Sequence, residues 1–147
     1  MLQNEIMTET EVESLEKAIL DRAFEFPLGI VGFSSFHRYV FAQTPEEKPF
    51  AWMRSLDSSD LKFAVVDAFY LNPDYSVYLD DEELRIIGSP SPMDCFILFI
   101  LRIEVGPPFR IYANMRAPLV LNRQAKKGMQ CVLLDTPYKE SVMFEFE

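Results

Sequence analysis

Histidine is nearly absent from this 147-residue chain: His37 is the only one, beside two cysteines (Cys95 and Cys131), one tryptophan and five glycines. Each shortage removes a class of chemistry. With a single His, and the two Cys far apart, the chain has no zinc-ligand spacing. A lone His next to a Phe-rich loop is more often a packing or surface residue than a general base. The few glycines never precede a Lys-Ser or Lys-Thr pair, so a phosphate-cradling loop is excluded. Lys and Arg number 14 against 23 Asp and Glu, a formal charge of −9, which repels a phosphate backbone and argues against direct nucleic-acid binding. The longest apolar run, Cys95 to Leu101, is too short to span a bilayer, and no basic, apolar leader opens the sequence. A cytoplasmic protein with reduced thiols is expected, because both Cys lie in apolar runs and free Cys is usually buried.

Core material, by contrast, is plentiful. Hydrophobic residues make up 49% and aromatics 14%, with 13 Phe. A chain of this length can bury roughly 70% of its unfolded surface without disulfides or metals, so one domain over residues 1–147 is expected, with 1–20 a less ordered or edge segment. Ten Pro spread along the chain suggest many short connections between strands.

Periodicity says the same. Pro49 to Tyr75 reads as a central hairpin: Phe50, Trp52 and Leu56 share one parity, and Leu61, Phe63 and Val65 alternate with Ala64, Val66 and Ala68. Asp57-Ser58-Ser59-Asp60 between the arms are turn formers, a reading that suits these carboxylates better than cation binding. Upstream, Ile6 to Val12 fits an edge strand or a helix about equally well. Phe24 and Phe26 share a face before Pro27, and Gly29 and Gly32 permit positive φ in a tight loop that holds Phe33 and Phe36. His37 to Phe41 is a short strand, followed by a polar turn over Thr44 to Lys48.

Downstream, Asn72-Pro73-Asp74 turns the chain, and Tyr75, Val77 and Leu79 alternate outward. Asp80 caps a helical turn carrying Asp81, Glu82 and Glu83. Cys95 to Val105 is the most apolar strand; its even face turns polar only at Arg102 and Glu104, which predicts a first half buried on both sides. Gly106-Pro107-Pro108 reverses into Phe109 to Asn114. A second hairpin joins Leu119–Leu121 to Met129–Leu134 through the basic turn Arg123 to Gly128, with Pro118 at an edge or bulge, and Val142 to Phe146 closes the sheet. The fold class is therefore all-β, mainly antiparallel: a barrel-like or pseudobarrel domain of two packed sheets with one or two short helical turns.

Three blocks resemble the flagellar assembly factor FliW family of bacteria. They are Phe26-Pro27-x-Gly29-Ile30-x-Gly32-Phe33; Pro49-Phe50 through Asp67, with Ser55, Asp57, Leu61 and Phe63 in matching places; and Ala113-Asn114-x-x-Ala117-Pro118-Leu119-Val120-Leu121-Asn122, followed by Gly128-x-Gln130 and Val132-Leu133. Together they cover about Phe24 to Tyr138. The chain departs from the family pattern at Val31, Arg54 and Ala68, where Pro, Gln and Pro are usual, and at Ser34, usually acidic; Glu140-Ser141 stands where the tail is commonly basic. The resemblance implies a non-catalytic barrel-like protein that binds the translational repressor CsrA and flagellin. It implies further that flagellin occupies the protein until exported and that the freed protein then captures CsrA, antagonising it through a surface away from its RNA site.

Candidate contact residues are those where polar side chains interrupt the apolar pattern near strand ends: Asp67, Asn72, Tyr75, Asn114, Arg116 and Asn122. For Asp67 a strand-rim position and a buried, hydrogen-bonded carboxylate both fit. For Asn114 and Arg116, capping and partner contact fit equally. No cofactor or metal is expected, and a monomer is. The rival reading is a small-molecule barrel with an aromatic interior, and an enzyme ranks last for want of an acid, base and nucleophile.

Overall fold

Strand β5 (Cys95–Glu104) has more partners than any other, because its odd and even residues are apolar over most of its length and both faces must be covered. The computed structural model describes residues 23–146, so the strand-or-helix segment Ile6 to Val12 and the proposed 1–20 edge segment lie outside the described residues. The other strands are β1 (Phe24–Glu25), β2 (Arg38–Ala42), β3 (Phe50–Ser55), β4 (Lys62–Asp67), β6 (Phe109–Ala113), β7 (Leu119–Asn122), β8 (Lys127–Gln130) and β9 (Val142–Phe146). Among the described residues there are also two short α-helices, α1 (Ala68–Leu71) and α2 (Asp81–Ile86).

The sheet runs β4-β3-β2-β1-β8-β7-β5-β6-β9, and a further β4–β5 pairing closes β1 to β5 with β7 and β8 into a ring. Among the described residues only β1–β8 is parallel. β5 makes the closure possible by dividing its partners along its length. Cys95 to Leu98 pair with Asn122 to Leu119, Leu101 to Glu104 pair with Ala113 to Arg110, and Leu98 to Leu101 pair with β4 along the opposite edge. The organising strand is thus β5 rather than the β3–β4 hairpin, although that hairpin forms as expected, Phe50 opposite Val66 and Arg54 opposite Lys62.

Strand parity sorts the apolar residues into two cores. Tyr39, Met53, Val65, Leu98, Leu119 and Leu121 fill the ring together with Phe26. Their neighbours of opposite parity, including Val66, Ile97, Phe99 and Val120, face outward into a second core, covered by residues 68–87, by β6 and by the chain around Met115 and Cys131. Each fully buried Leu or Phe in these cores stabilises by about 1.5–3 kcal/mol. Gly128, expected in the turn, lies inside β8 because Phe26 packs over it: a Cβ there would sit 2.8 Å from Phe26 Cζ. Gly29 adopts φ +69°, and a Cβ on it would meet Ser34 Cα at 2.6 Å, so the Gly29 loop needs that residue twice over.

Four boundaries differ from expectation. β4 stops at Asp67, whose carboxylate accepts the Phe69 N–H at 2.8 Å and starts α1. Tyr75, Val77 and Leu79 alternate in burial but form no strand. β8 ends at Gln130, after which Cys131 N–H donates to the Pro118 carbonyl at 2.9 Å and Leu133 N–H to that of Arg116 at 2.8 Å. Finally, β9 pairs with β6 and widens the branch; closure of the ring is the work of β4 and β5. α2 forms as read, with the Asp80 carboxylate accepting the Glu83 N–H at 2.8 Å.

Candidate functional site

The six polar positions singled out by pattern do not all reach the surface. Tyr75 is 3% exposed and Asn122 only 2%, so neither offers a partner a contact, and both are corrected from contact to positioning residues. Their polar atoms are spent inside. Tyr75 follows a turn in which Asn72 Oδ1 accepts the Asp74 N–H at 3.1 Å, and its hydroxyl donates to the Met115 carbonyl at 2.6 Å. Its ring meets Phe99 edge-on at 4.7 Å and Tyr138 at 4.4 Å. Burial, reinforced by Tyr138 and Cys131, pushes the phenol well above its ordinary pKa, so it stays a donor.

Asn122 straps two elements together. Its Nδ2 donates to the Ile87 carbonyl at the end of α2 at 2.7 Å, while Oδ1 accepts the N–H groups of Gln124 and Ala125 at 3.0 and 3.2 Å. It stands apart from the other candidates.

Of the others, Asn114 and Arg116 share one turn, and Asn72 is linked to it through Tyr75. Asn114 Oδ1 accepts from Arg116 N–H at 3.1 Å and Ala117 N–H at 3.0 Å, folding the link between β6 and β7 into a tight turn. Arg116 Nε donates to the Leu133 carbonyl at 3.1 Å, and Met115 N–H to the Lys139 carbonyl at 3.0 Å. Tyr75 closes the group from the Asn72 side through Met115. Asp67 and Asn72 bracket α1, one as its N-cap and the other donating its backbone N–H to the Ala68 carbonyl at 2.9 Å. Asp67 is exposed, at the rim. Half-buried Asn114 and Arg116 and exposed Asp67 therefore lie on the cover of the outer core, where Phe69, Tyr70, Val132 and Leu134 are exposed apolar neighbours in sequence. Such a mixture of Arg, Tyr and apolar side chains is typical of interface centres.

Asp57 does more than turn the hairpin. Ser55 Oγ caps that turn, accepting the N–H groups of Asp57 and Ser58 at 3.0 Å each. The Asp57 carboxylate instead reaches the start of β2, accepting from His37 N–H at 2.8 Å, Arg38 N–H at 3.0 Å and the Arg38 guanidinium at 3.0 Å. These donors, the His37 amide first, hold its pKa below the ordinary carboxylate value. His37 is half-buried with Nδ1 at 2.9 Å from the Phe26 carbonyl, a packing position.

Pattern reading missed an aromatic groove. Phe50, Trp52, Ile103 and Phe109 line a cavity of about 350 Å³ beside Glu46 and Glu47. Phe50, Phe109 and Phe146 converge with ring centroids 6.0 to 6.3 Å apart. The signal was present in the shared parity of Phe50 with Trp52 and of Phe144 with Phe146; what was invisible is that β3 and β9 meet across β6. Trp52 Nε1 donates to Glu47 at 3.0 Å, and the Lys62 ammonium lies 4.3 Å from its ring. Among the described residues no group of three or more His, Cys, Asp and Glu could hold a metal, and no helix is long and apolar enough to cross a membrane.

Comparison with known proteins converges on one family. The family model described as FliW protein matches residues 3–143. The flagellar assembly factor FliW of Treponema denticola is 39% identical over 116 residues, 78% of this chain and 77% of that protein. That of Ruminiclostridium cellulolyticum is 35% identical over 115 residues (76% and 75%), and that of Thermotoga maritima 30% over 129 residues (88% and 84%). A crystal structure of the flagellar assembly factor FliW superposes with a TM-score of 0.76 at 29% identity, covering 83% of this chain and 84% of the other.

Proposed function

Because the chain belongs to the FliW family of flagellar assembly factors, we propose that it is a cytoplasmic, monomeric, non-catalytic regulator that binds the translational repressor CsrA and flagellin in turn. The observation that carries this reading is the family match, which runs through residues 3–143 and so includes every candidate contact residue. Charge supports it: at −9 the protein is steered toward a basic RNA-binding partner and repelled from RNA itself. The ring core is packed with Tyr39, Met53, Val65, Leu119 and Leu121, so no specific observation favours a small-molecule barrel.

In this reading Asp67, Asn72, Asn114 and Arg116 supply contacts on the outer-core cover, and Tyr75 and Asn122 hold the loops that present them. A switch requires the two partners to oppose each other; a coupling of about 2.7 kcal/mol changes repressor affinity a hundredfold. Titration calorimetry of the full chain against flagellin and against the repressor, each alone and then in competition, tests it. Saturable binding of both, with each weakening the other, is expected. Independent binding would remove the switch, and absence of both complexes at micromolar concentration would remove the function. Arg116→Ala and Asn114→Ala should weaken at least one complex about tenfold at a temperature where each variant is still fully folded; unchanged affinity for both would move the contact surface elsewhere.

A further inference from the structure

We propose that the outer edge of β9, with the aromatic groove beside it, is a docking surface for an extended, positively charged segment of a partner polypeptide, which adds to the sheet as a further strand. This rests on the reading of the chain as a polypeptide-binding regulator.

Among the described residues β9 pairs only with β6 and ends the sheet. Alternate residues of an antiparallel edge strand aim N–H and C=O outward. Proteins usually guard such edges with Lys, Pro or a bulge. Residues 140–147 hold three Glu and no Lys, Arg or Pro. At the Phe146 end of β9 a concavity of about 760 Å³, formed by Val105, Gly106, Pro107, Pro108, Phe109 and Phe146, adjoins the groove of about 350 Å³, whose Phe50 ring lies 6.3 Å from that of Phe146. Phe109 belongs to both, Val105 is 82% exposed, and Met143 on the other face of β9 is 50% exposed.

Geometry and charge select the occupant. A helix could cover the rings but would leave the outward groups of β9 unpaired, whereas an added strand pairs them. Side chains at every second position of that strand fall on the face of Phe144 and Phe146, so apolar residues belong there. A second copy would bring −9 against −9, with the Glu residues of both tails beside each other. A basic segment is attracted instead by the overall charge of −9, competing with Arg110 for Glu145, which that guanidinium holds at 2.9 Å, on one side and meeting Glu46 and Glu47, accompanied by Lys48 and Lys62, on the other.

The test uses the full chain and an acetylated, amidated peptide, Lys-Phe-Lys-Val-Lys-Phe-Lys. Trp52, the only tryptophan, lines the groove and reports on it by fluorescence. A saturable change in emission is expected, together with slowed hydrogen exchange at amides of residues 142–146 that exchange rapidly in the free chain. N-methylating alternate peptide residues in one register should weaken binding about tenfold or more, and in the other register should be tolerated; Phe109→Ala should weaken it by a similar factor. Equal binding of both methylated peptides, a bound peptide that turns helical, or β9 amides already fully protected in the free chain would each overturn the proposal. If the peptide fails while flagellin or the repressor still binds, this docking surface alone falls; if none binds, the regulator reading falls with it.

Discussion

Replacing Asn122 with Ala separates a positioning role from a contact role, and its cost can be worked from three hydrogen bonds. The first is the most expensive: Nδ2 donates to the Ile87 carbonyl at 2.7 Å beside a fully buried Ile87 side chain. A buried carbonyl left without its donor costs about 1–3 kcal/mol. The Gln124 and Ala125 N–H groups, bound to Oδ1 at 3.0 and 3.2 Å, lie nearer solvent, so water recovers part of their loss. The sum is about 2–4 kcal/mol. For a chain of this size each kcal/mol lowers the melting temperature by about 2–4 °C, so a fall of about 5–15 °C is expected in thermal denaturation followed by circular dichroism. Asn122→Asp sharpens the test, since it keeps the acceptor for the turn but sets a carboxylate oxygen against the Ile87 carbonyl; it should be at least as damaging at neutral pH. A loss below about 0.5 kcal/mol for both variants would refute the strap, because it would fall within what an ordinary surface substitution does. So would unchanged stability with weakened partner binding, which is the signature of a contact residue.

Three further outcomes follow from the packing and electrostatics. Gly128→Ala places a Cβ 2.8 Å from Phe26 Cζ and 3.1 Å from Leu121 Cγ in the filled ring, so urea denaturation should show a loss of about 1–3 kcal/mol, and an unchanged midpoint would mean Phe26 can yield. Asp57 has a folded pKa below its ordinary 3.8, so its stabilising contribution is complete above that pH and disappears as pH falls through the lowered value; Asp57→Asn should flatten the acid limb of stability against pH, and an unaltered limb would discount the clamp on β2. Burial pushes the Cys131 thiol up to about 12, so at pH 8 an aromatic disulfide reagent should modify Cys95, itself half-buried, well before Cys131, and equal rates would contradict the burial of residue 131.

Much of the fold was legible because strand periodicity survives folding. The β3–β4 hairpin, the Asp80-capped helix, the glycine loop and the two-sided burial of Cys95 to Leu101 all follow from side-chain parity and turn chemistry read within a few residues. Asp67 shows where that reading stops. A carboxylate after Val66 looks the same whether the strand continues or a helix begins, and only the position of the Phe69 amide decides between them. Tyr75 and Asn122 mark a second limit. A polar residue interrupting an apolar run signals either surface or a buried hydrogen-bonded strap, and the Met115 and Ile87 carbonyls that make them straps are 40 and 35 residues away in sequence. The groove was missed for the same reason, since Phe50, Phe109 and Phe146 are distant in sequence and meet only when the β6–β9 branch folds toward β3.

Composition and alternation by themselves determined an acidic all-β chain, poor in groups for catalysis, with core to spare. Which strand anchors the sheet, which polar residues face outward and where the aromatic rings leave an opening were decided only by tertiary structure. The reason is that parity assigns a side chain to a face, a local property of the backbone, whereas exposure depends on what later segments of chain lay over that face. For β5 and its neighbours that cover comes from residues 68–87, from β6 and from the chain around Met115 and Cys131, none of which local pattern could place.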